Sequence, residues 1–184
     1  MNIQIREFKK EDIKEALYIW NEVVHEGVAF PQTEPLNEVT GLEFFLEQSF
    51  TGIAYIDSGS NSDLGSDSNS DSDSGTLPAA ETIVGLYILH PNNIGRCGHI
   101  CNASYAVRSD MRGQHIGEKL VTHCIEKGRE LGFRILQFNA VVANNHRALH
   151  LYEKLGFVKL GVIPDGFLMK DGTYQDIVPH YLTL

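Results

Sequence analysis

Residues 105–120, YAVRSDMRGQHIGEKL, constrain the fold more than any other stretch, because one periodicity gives way to another within them. An apolar run closing at Val107 reads as a strand, and residues 109–114 are polar and contain a glycine. From Ile116 the spacing is helical: Ile116, Leu120, Cys124 and Gly128 share one face, with Val121 and Ile125 beside it. A strand that enters a helix through Arg112-Gly113-Gln114-His115-Ile116-Gly117 aims several unpaired backbone N–H groups at one point, where the helix dipole adds partial positive charge. Such a turn suits a phosphate. Arg112 adds a planar, permanently charged donor fork, and the small residues 113 and 117 let a bulky anion approach the backbone. No Gly-Lys-Ser/Thr follows, so this is not a Walker loop, and the glycine order is not that of a dinucleotide fingerprint. A strand, a turn and a helix with two glycines are also an ordinary structural connection, so the stretch needs a second signal.

That signal lies in residues 144–157, Asn144-Asn145-His146-Arg147-Ala148-Leu149-His150-Leu151-Tyr152-Glu153-Lys154-Leu155-Gly156-Phe157. With both stretches in this order and separation, the chain resembles the GNAT family of acetyl-CoA-dependent N-acetyltransferases. The first is similar to the family's pyrophosphate loop, Arg/Gln-x-x-Gly-x-Gly/Ala. The second is similar to its Asn-x-x-Ala-x-x-Leu-Tyr-x-Lys-x-Gly-Phe segment. The resemblance covers nearly all of the chain outside residues 58–78. One position departs from the pattern: the family's central glycine falls on His115, which costs little at negative φ and considerably more at positive φ.

The rest of the chain reads as a single α/β domain over residues 1–184. Residues 2–8 alternate as a first strand, and Ile13, Ala16, Leu17, Trp20, Val23 and Val24 mark a helix over 11–25 that stops at Gly27. Residues 25–35 contain two prolines and read as a loop. Asn37 is a good N-cap for a second helix that turns Val39, Leu42, Phe45 and Leu46 inward. Strands are expected at 52–56, 82–89, 98–107 and 135–142. Two more at 157–163 and 175–184 close the sheet, with a turn signal at Asp171-Gly172 between them. A helix follows the phosphate loop over 114–131; Asn145 caps another that runs to Leu155. The resemblance implies a mixed central sheet flanked by helices, with acetyl-CoA held where strands splay apart after Val107 and around 135–142.

Residues 57–75 hold five Asp and no Lys or Arg, so without them the net charge of −9 falls to −4. The tract at 58–78 is Ser/Asp-rich and nearly free of apolar residues, which predicts a disordered spacer inserted in a hairpin. Its alternating Asp67, Asn69, Asp71 and Asp73 lack the glycine and glutamate of an EF-hand. Acidity without a basic stripe argues against nucleic acid and fits amine-bearing small molecules. No apolar run is long enough to span a membrane, and the N-terminus has no secretory h-region, which points to the cytoplasm. Three cysteines make no disulfide framework. Cys97, His99 and Cys101 would share a strand face without a fourth ligand, so no metal is expected.

The resemblance implies roles for particular residues. The backbone of 105–107, ending at Val107, would pair with the pantetheine arm; Arg112, Gly113, Gln114, His115, Ile116 and Gly117 would grip the pyrophosphate. Asn145 would contact the pantetheine chain, although an N-cap role also explains it. Tyr152, two helical turns on, would give a proton to the CoA sulfur; its other reading is a core aromatic. The loop at 25–35 resembles the phosphinothricin acetyltransferase branch. His90-Pro91-Asn92, the run from Arg96 to Ala103 and Phe138-Asn139 resemble a branch that acetylates imino acids such as azetidine-2-carboxylate, where the Asn matching Asn102 faces the acceptor. His99, His115, Glu22 and Glu26 are candidate bases, beside a water chain. The expected activity is acetyl transfer to a small-molecule amine; a peptide acetyltransferase and a silent acyl-CoA sensor are the alternatives, and a homodimer is left open.

Overall fold

The computed structural model describes residues 2–57 and 81–184. The expected disorder of residues 58–78 and their calcium-like spacing lie outside the described residues. A seven-stranded sheet runs in the order β1 (Ile3–Glu7), β2 (Phe50–Asp57), β3 (Glu81–Pro91), β4 (Ile100–Val107), β5 (Ile135–Phe138), β9 (His180–Thr183), β6 (Val158–Lys159). Every neighbouring pair is antiparallel except β4–β5. Helices α1 (Ile13–Glu26) and α2 (Glu38–Leu46) cover one face, and α3 (Ile116–Glu130) and α4 (His146–Lys154) the other.

The central strand β3 is buried on both faces, as its apolar run requires. Where Ala54 and Tyr55 of β2 pair with Gly85 and Ile83, the register slips, so Ile83, Leu86 and Ile88 face α1 while Val84, Tyr87 and Leu89 face α3. The α1 stripe buries Ala16, Leu17, Ile19, Trp20, Val23 and Val24, and Trp20 packs among Phe30, Phe44 and Phe45. Gly27 ends this helix in the left-handed region, donating to the Val23 and Val24 carbonyls.

Several expectations are corrected. In α2 the inward residues are Gly41, Phe45 and, half-buried, Leu42, whereas Val39 and Leu46 are exposed. Leu17 occupies the space where a Cβ on residue 41 would sit, so the helix turns its bare face to α1. Cys97, His99 and Cys101 do not share a strand face. Cys97 lies exposed in a 3-10 turn, His99 precedes the strand, and only Cys101 is buried in β4. The expected final strand is two: Tyr174–Ile177 (β8) pairs with Ile163–Leu168 (β7) in a separate hairpin, and only β9 joins the main sheet. Pro179, which has no N–H to give a ladder, separates them. Likewise, the strand expected over 157–163 survives only as Val158–Lys159.

The strand expected over 135–142 is also shorter, and this shortening makes the site. β4 and β5 share two rungs, Ile100↔Ile135 and Cys101↔Leu136. β5 stops at Phe138, and the chain bends away so that the Val178 N–H donates to the Val141 carbonyl and the Ala143 N–H to that of Asp176. Beyond Cys101, then, β4 is paired on its β3 side alone.

One packing contact tests this frame. Gly52 of β2 lies opposite Tyr87, whose ring fills the place of a Cβ at residue 52 and whose hydroxyl bonds His123 Nδ1 at 2.8 Å. Tyr87 is fully buried and cannot move aside freely. Gly52→Ala should therefore cost about 1–3 kcal/mol, read as a lower urea midpoint at unchanged m. An unchanged midpoint would show that the ring has room.

Candidate active site

The separation of β4 from β5 opens a cleft of about 1120 Å³. Its walls are β4 from Asn102 to Val107, the end of α1 with residues 28–31, the phosphate loop and start of α3, residues 138–142, and α4. Of the residues singled out in the sequence, Asn102, Val107, Arg112, Gly113, His115, Ile116, Gly117, Asn145 and Tyr152 all line it. Gln114 does not; its amide lies 3.8 Å from the Met111 sulfur.

The loop is built as the sequence suggests. A short 3-10 turn, Ser109–Met111, carries the chain off β4. The first helical bond of α3 runs from the Lys119 N–H to the His115 carbonyl, so the N–H groups of 116–118 are not claimed within the helix. His115 itself has φ 60 and ψ 15. The costlier case therefore holds: a side chain stands in the left-handed region, where histidine is among the better-tolerated residues. Its Nδ1 is 3.4 Å from Glu118, which Lys154 of α4 also bonds at 2.6 Å.

Arg112 is engaged in two directions. Its Nη1 contacts Glu26 at 2.8 Å, and its Nε donates to the Val107 carbonyl at 3.4 Å. Glu22, one turn earlier on α1, accepts from the Ser109 N–H at 3.1 Å and the Ser109 hydroxyl at 2.8 Å. Burial raises its pKa, but the two Ser109 bonds, the Tyr18 hydroxyl and the Arg112 charge outweigh that and hold the carboxyl below the usual range. A carboxylate so well satisfied is a weak base. His99 does not line the cleft; it sits exposed before β4, its carbonyl accepting from Arg134 and Ile135. The local pattern of the sequence carries no signal for the Arg112–Glu26 pair, which joins distant segments.

Tyr152 packs against Phe138 at 4.4 Å and Phe157 at 5.4 Å, with one edge in the cleft. Burial, followed by the neighbouring Cys124, pushes its phenol well above the ordinary value, so it holds its proton at neutral pH. Tyr105, also lining the cleft, has a buried hydroxyl whose neighbour is the Cys124 thiol. Asn145 caps α4 through its Oδ1 and the Ala148 N–H at 3.2 Å, so its structural role is real whatever else it does. Asn102 accepts the Ala103 N–H at 2.8 Å and sits near a reciprocal Asn92–Asn139 amide pair at 3.2 and 2.7 Å. Arg147, from a variable position of the second motif that offers no signal of its own, and Lys154, the motif's fixed lysine, also line the cleft. Among the described residues, no group of three His, Cys, Asp or Glu is placed to hold a metal ion.

The strain at His115 can be measured. His115→Gly removes about 1 kcal/mol of backbone strain but loosens the unfolded chain by a similar amount, so its urea midpoint should match or slightly exceed that of wild type. His115→Val should cost about 1–3 kcal/mol, because a β-branched residue fits the left-handed region poorly. Equal midpoints for the two variants would show that the loop does not hold this conformation.

Comparisons with known proteins agree with this geometry. The family model described as Acetyltransferase (GNAT) family matches residues 43–157. The N-acetyltransferase aca1 of Schizosaccharomyces pombe is 34% identical over 89 residues, 48% of this chain and 43% of its own length. Protein SPT10 of Saccharomyces cerevisiae is 29% identical over 87 residues, 47% of this chain and 14% of its own. The match thus spans less than half of each curated relative. A GCN5-related N-acetyltransferase from Kribbella flavida superposes with a TM-score of 0.79 at 25% identity, covering 99% of this chain and 98% of that one. A phosphinothricin acetyltransferase from Sinorhizobium meliloti, solved with acetyl-CoA, has the same fold: TM-score 0.79, 18% identity, 100% of this chain and 89% of that one. With more than half its length matched by the family model, the chain belongs to the GNAT acetyltransferase family.

Proposed function

We propose that this chain transfers the acetyl group of acetyl-CoA to the amine of a small molecule, with an amino or imino acid as the substrate class. The observation that carries the reading is the juxtaposition, in one cleft, of an unpaired β4 edge, a phosphate-type loop and a protonated phenol. The Sinorhizobium protein of this fold was solved with acetyl-CoA, which supports the choice of cosubstrate. Acetyl-CoA supplies an activated thioester. Arg112 and the N–H groups of 116–118 serve to hold its pyrophosphate. The open β4 edge offers backbone groups to the pantetheine amides and a donor to the carbonyl as charge develops on oxygen. Tyr152 gives the departing sulfur its proton. The acceptor must arrive at, or lose a proton to reach, the neutral amine state. Asn102 lies on the acceptor side of β4, opposite the face of Cys101, Ala103 and Tyr105. A hydrogen bond of 3.1 Å from Lys170 Nζ to the His25 carbonyl ties the β7–β8 turn to the end of α1.

A screen for released CoA thiol across amino acids, imino acids and polyamines tests the reading directly, and acetylation of a peptide library alone would overturn the small-molecule assignment. Tyr152→Phe should bind acetyl-CoA nearly as before and lose roughly 10²–10⁴-fold in turnover. A more acidic leaving thiol should shrink that loss; wild-type turnover in the variant would make Tyr152 only a packing residue. Arg112→Ala should weaken acetyl-CoA by about 10- to 100-fold, the worth of a charged contact, and leave acetyl-pantetheine binding almost unaltered. Equal losses for both ligands would make Arg112 structural.

A further inference from the structure

The end of α1 is an unusual place for carboxylates, since the helix dipole disfavours them there. Glu22 and Glu26 nevertheless both sit in its last turns, and both reach the phosphate loop: Glu22 to Ser109, and Glu26 Oε1 to Arg112 Nη1 at 2.8 Å. Each side chain of the Glu26–Arg112 pair is 35% exposed, open to the cleft that both line. A guanidinium fork accepts a carboxylate or a phosphate by the same geometry. Glu26 therefore stands where a pyrophosphate oxygen would compete for Arg112. Only one other carboxylate lines the cleft among the described residues, Glu118, and Lys154 and His115 hold it on the α3 side. Glu26 is the one that continues directly into the acceptor-side loop, where Val28, Ala29, Phe30 and Pro31 form the wall.

We propose that Glu26 couples the two substrates: it holds Arg112 until the cosubstrate arrives, yields it to the pyrophosphate, and then receives the positive charge of a cationic acceptor. The proposal rests on the acetyltransferase reading and concerns binding alone; no covalent bond forms or breaks. While Arg112 neutralises Glu26, an ammonium group meets no unpaired carboxylate on the α1 side. Once the pyrophosphate takes the guanidinium, the freed carboxylate in a partly dry cleft attracts one. One consequence follows: acceptors that are cationic at neutral pH are preferred to neutral amines.

The test is a double-mutant cycle on CoA binding by calorimetry, with wild type, Glu26→Gln, Arg112→Ala and the double variant. Glu26→Gln should bind CoA two- to fivefold more tightly, and this gain should vanish in the Arg112→Ala background. Weaker binding would show that Glu26 only orients Arg112, and a gain that persists without Arg112 would be a general charge effect; either overturns the exchange. In steady-state assays with ethylenediamine as the cationic acceptor and aniline as the neutral one, the ratio of the first Michaelis constant to the second should rise at least fivefold in Glu26→Gln. An unchanged ratio overturns the acceptor half. Should Glu26→Gln fail to fold by circular dichroism, Glu26→Asp, which withdraws the carboxylate but keeps its charge, is expected to move both quantities in the same directions. CoA affinity needs no turnover, so a chain that transfers no acetyl group would defeat the functional reading while the exchange remained measurable.

Discussion

After two rungs, the single parallel pair of strands in this sheet stops exchanging hydrogen bonds, and the molecule is arranged around the gap that results. The two sides of the gap are braced independently. β4 is held by seven antiparallel rungs to β3, and β5 by four to β9. Neither depends on the other beyond Cys101 and Leu136, so the strands diverge without loosening the sheet. The C-terminal strand thus acts at a distance: by fixing β5 and β6 it fixes the wall on which Phe138 supports Tyr152.

The helices divide the work of shaping the cleft. α3 begins at its rim with a strained residue and a cluster of N–H groups. α4 lays Tyr152 along the wall, and α1 brings carboxylates from the opposite face of the sheet to the same loop. Charges around the cleft are therefore largely compensated before any ligand arrives, Arg112 by Glu26 and Lys154 by Glu118. Pre-compensation keeps a cation-lined cleft from destabilising the chain, and it makes the affinity for an anion a difference between two sets of contacts.

Elements whose signal is local were legible in the sequence. The strand, loop and helix of residues 105–120, the Gly27 stop, the Asn145 cap and the turn at Asp171-Gly172 all stand where the pattern places them. What escaped depends on partners far away in the chain. The inward face of α2 is set by Gly41 against Leu17, and a glycine has no side chain for a hydrophobic pattern to weigh. The C-terminal run reads as one strand because apolar residues continue on both sides of Pro179, and that proline divides it between two sheets. Gln114 lies inside the loop yet points away from the cleft, because it falls on a position the motif leaves open and nothing local fixes its side-chain direction. The pairing of Glu26 with Arg112 has no counterpart in local spacing at all.

A strand edge with open N–H and C=O groups is ordinarily a hazard, since any stray extended chain can dock on it and seed an aggregate. Proteins usually blunt such edges with charges, proline or a covering segment. Here the open edge of β4 lines a cleft, with aromatic residues on one flank and α1 with its loop on the other. An extended chain from outside would have to pass between those walls to reach the edge. The same walls that shape the site thus shelter the edge, so that a liability for self-association becomes a surface reached only from within the cleft.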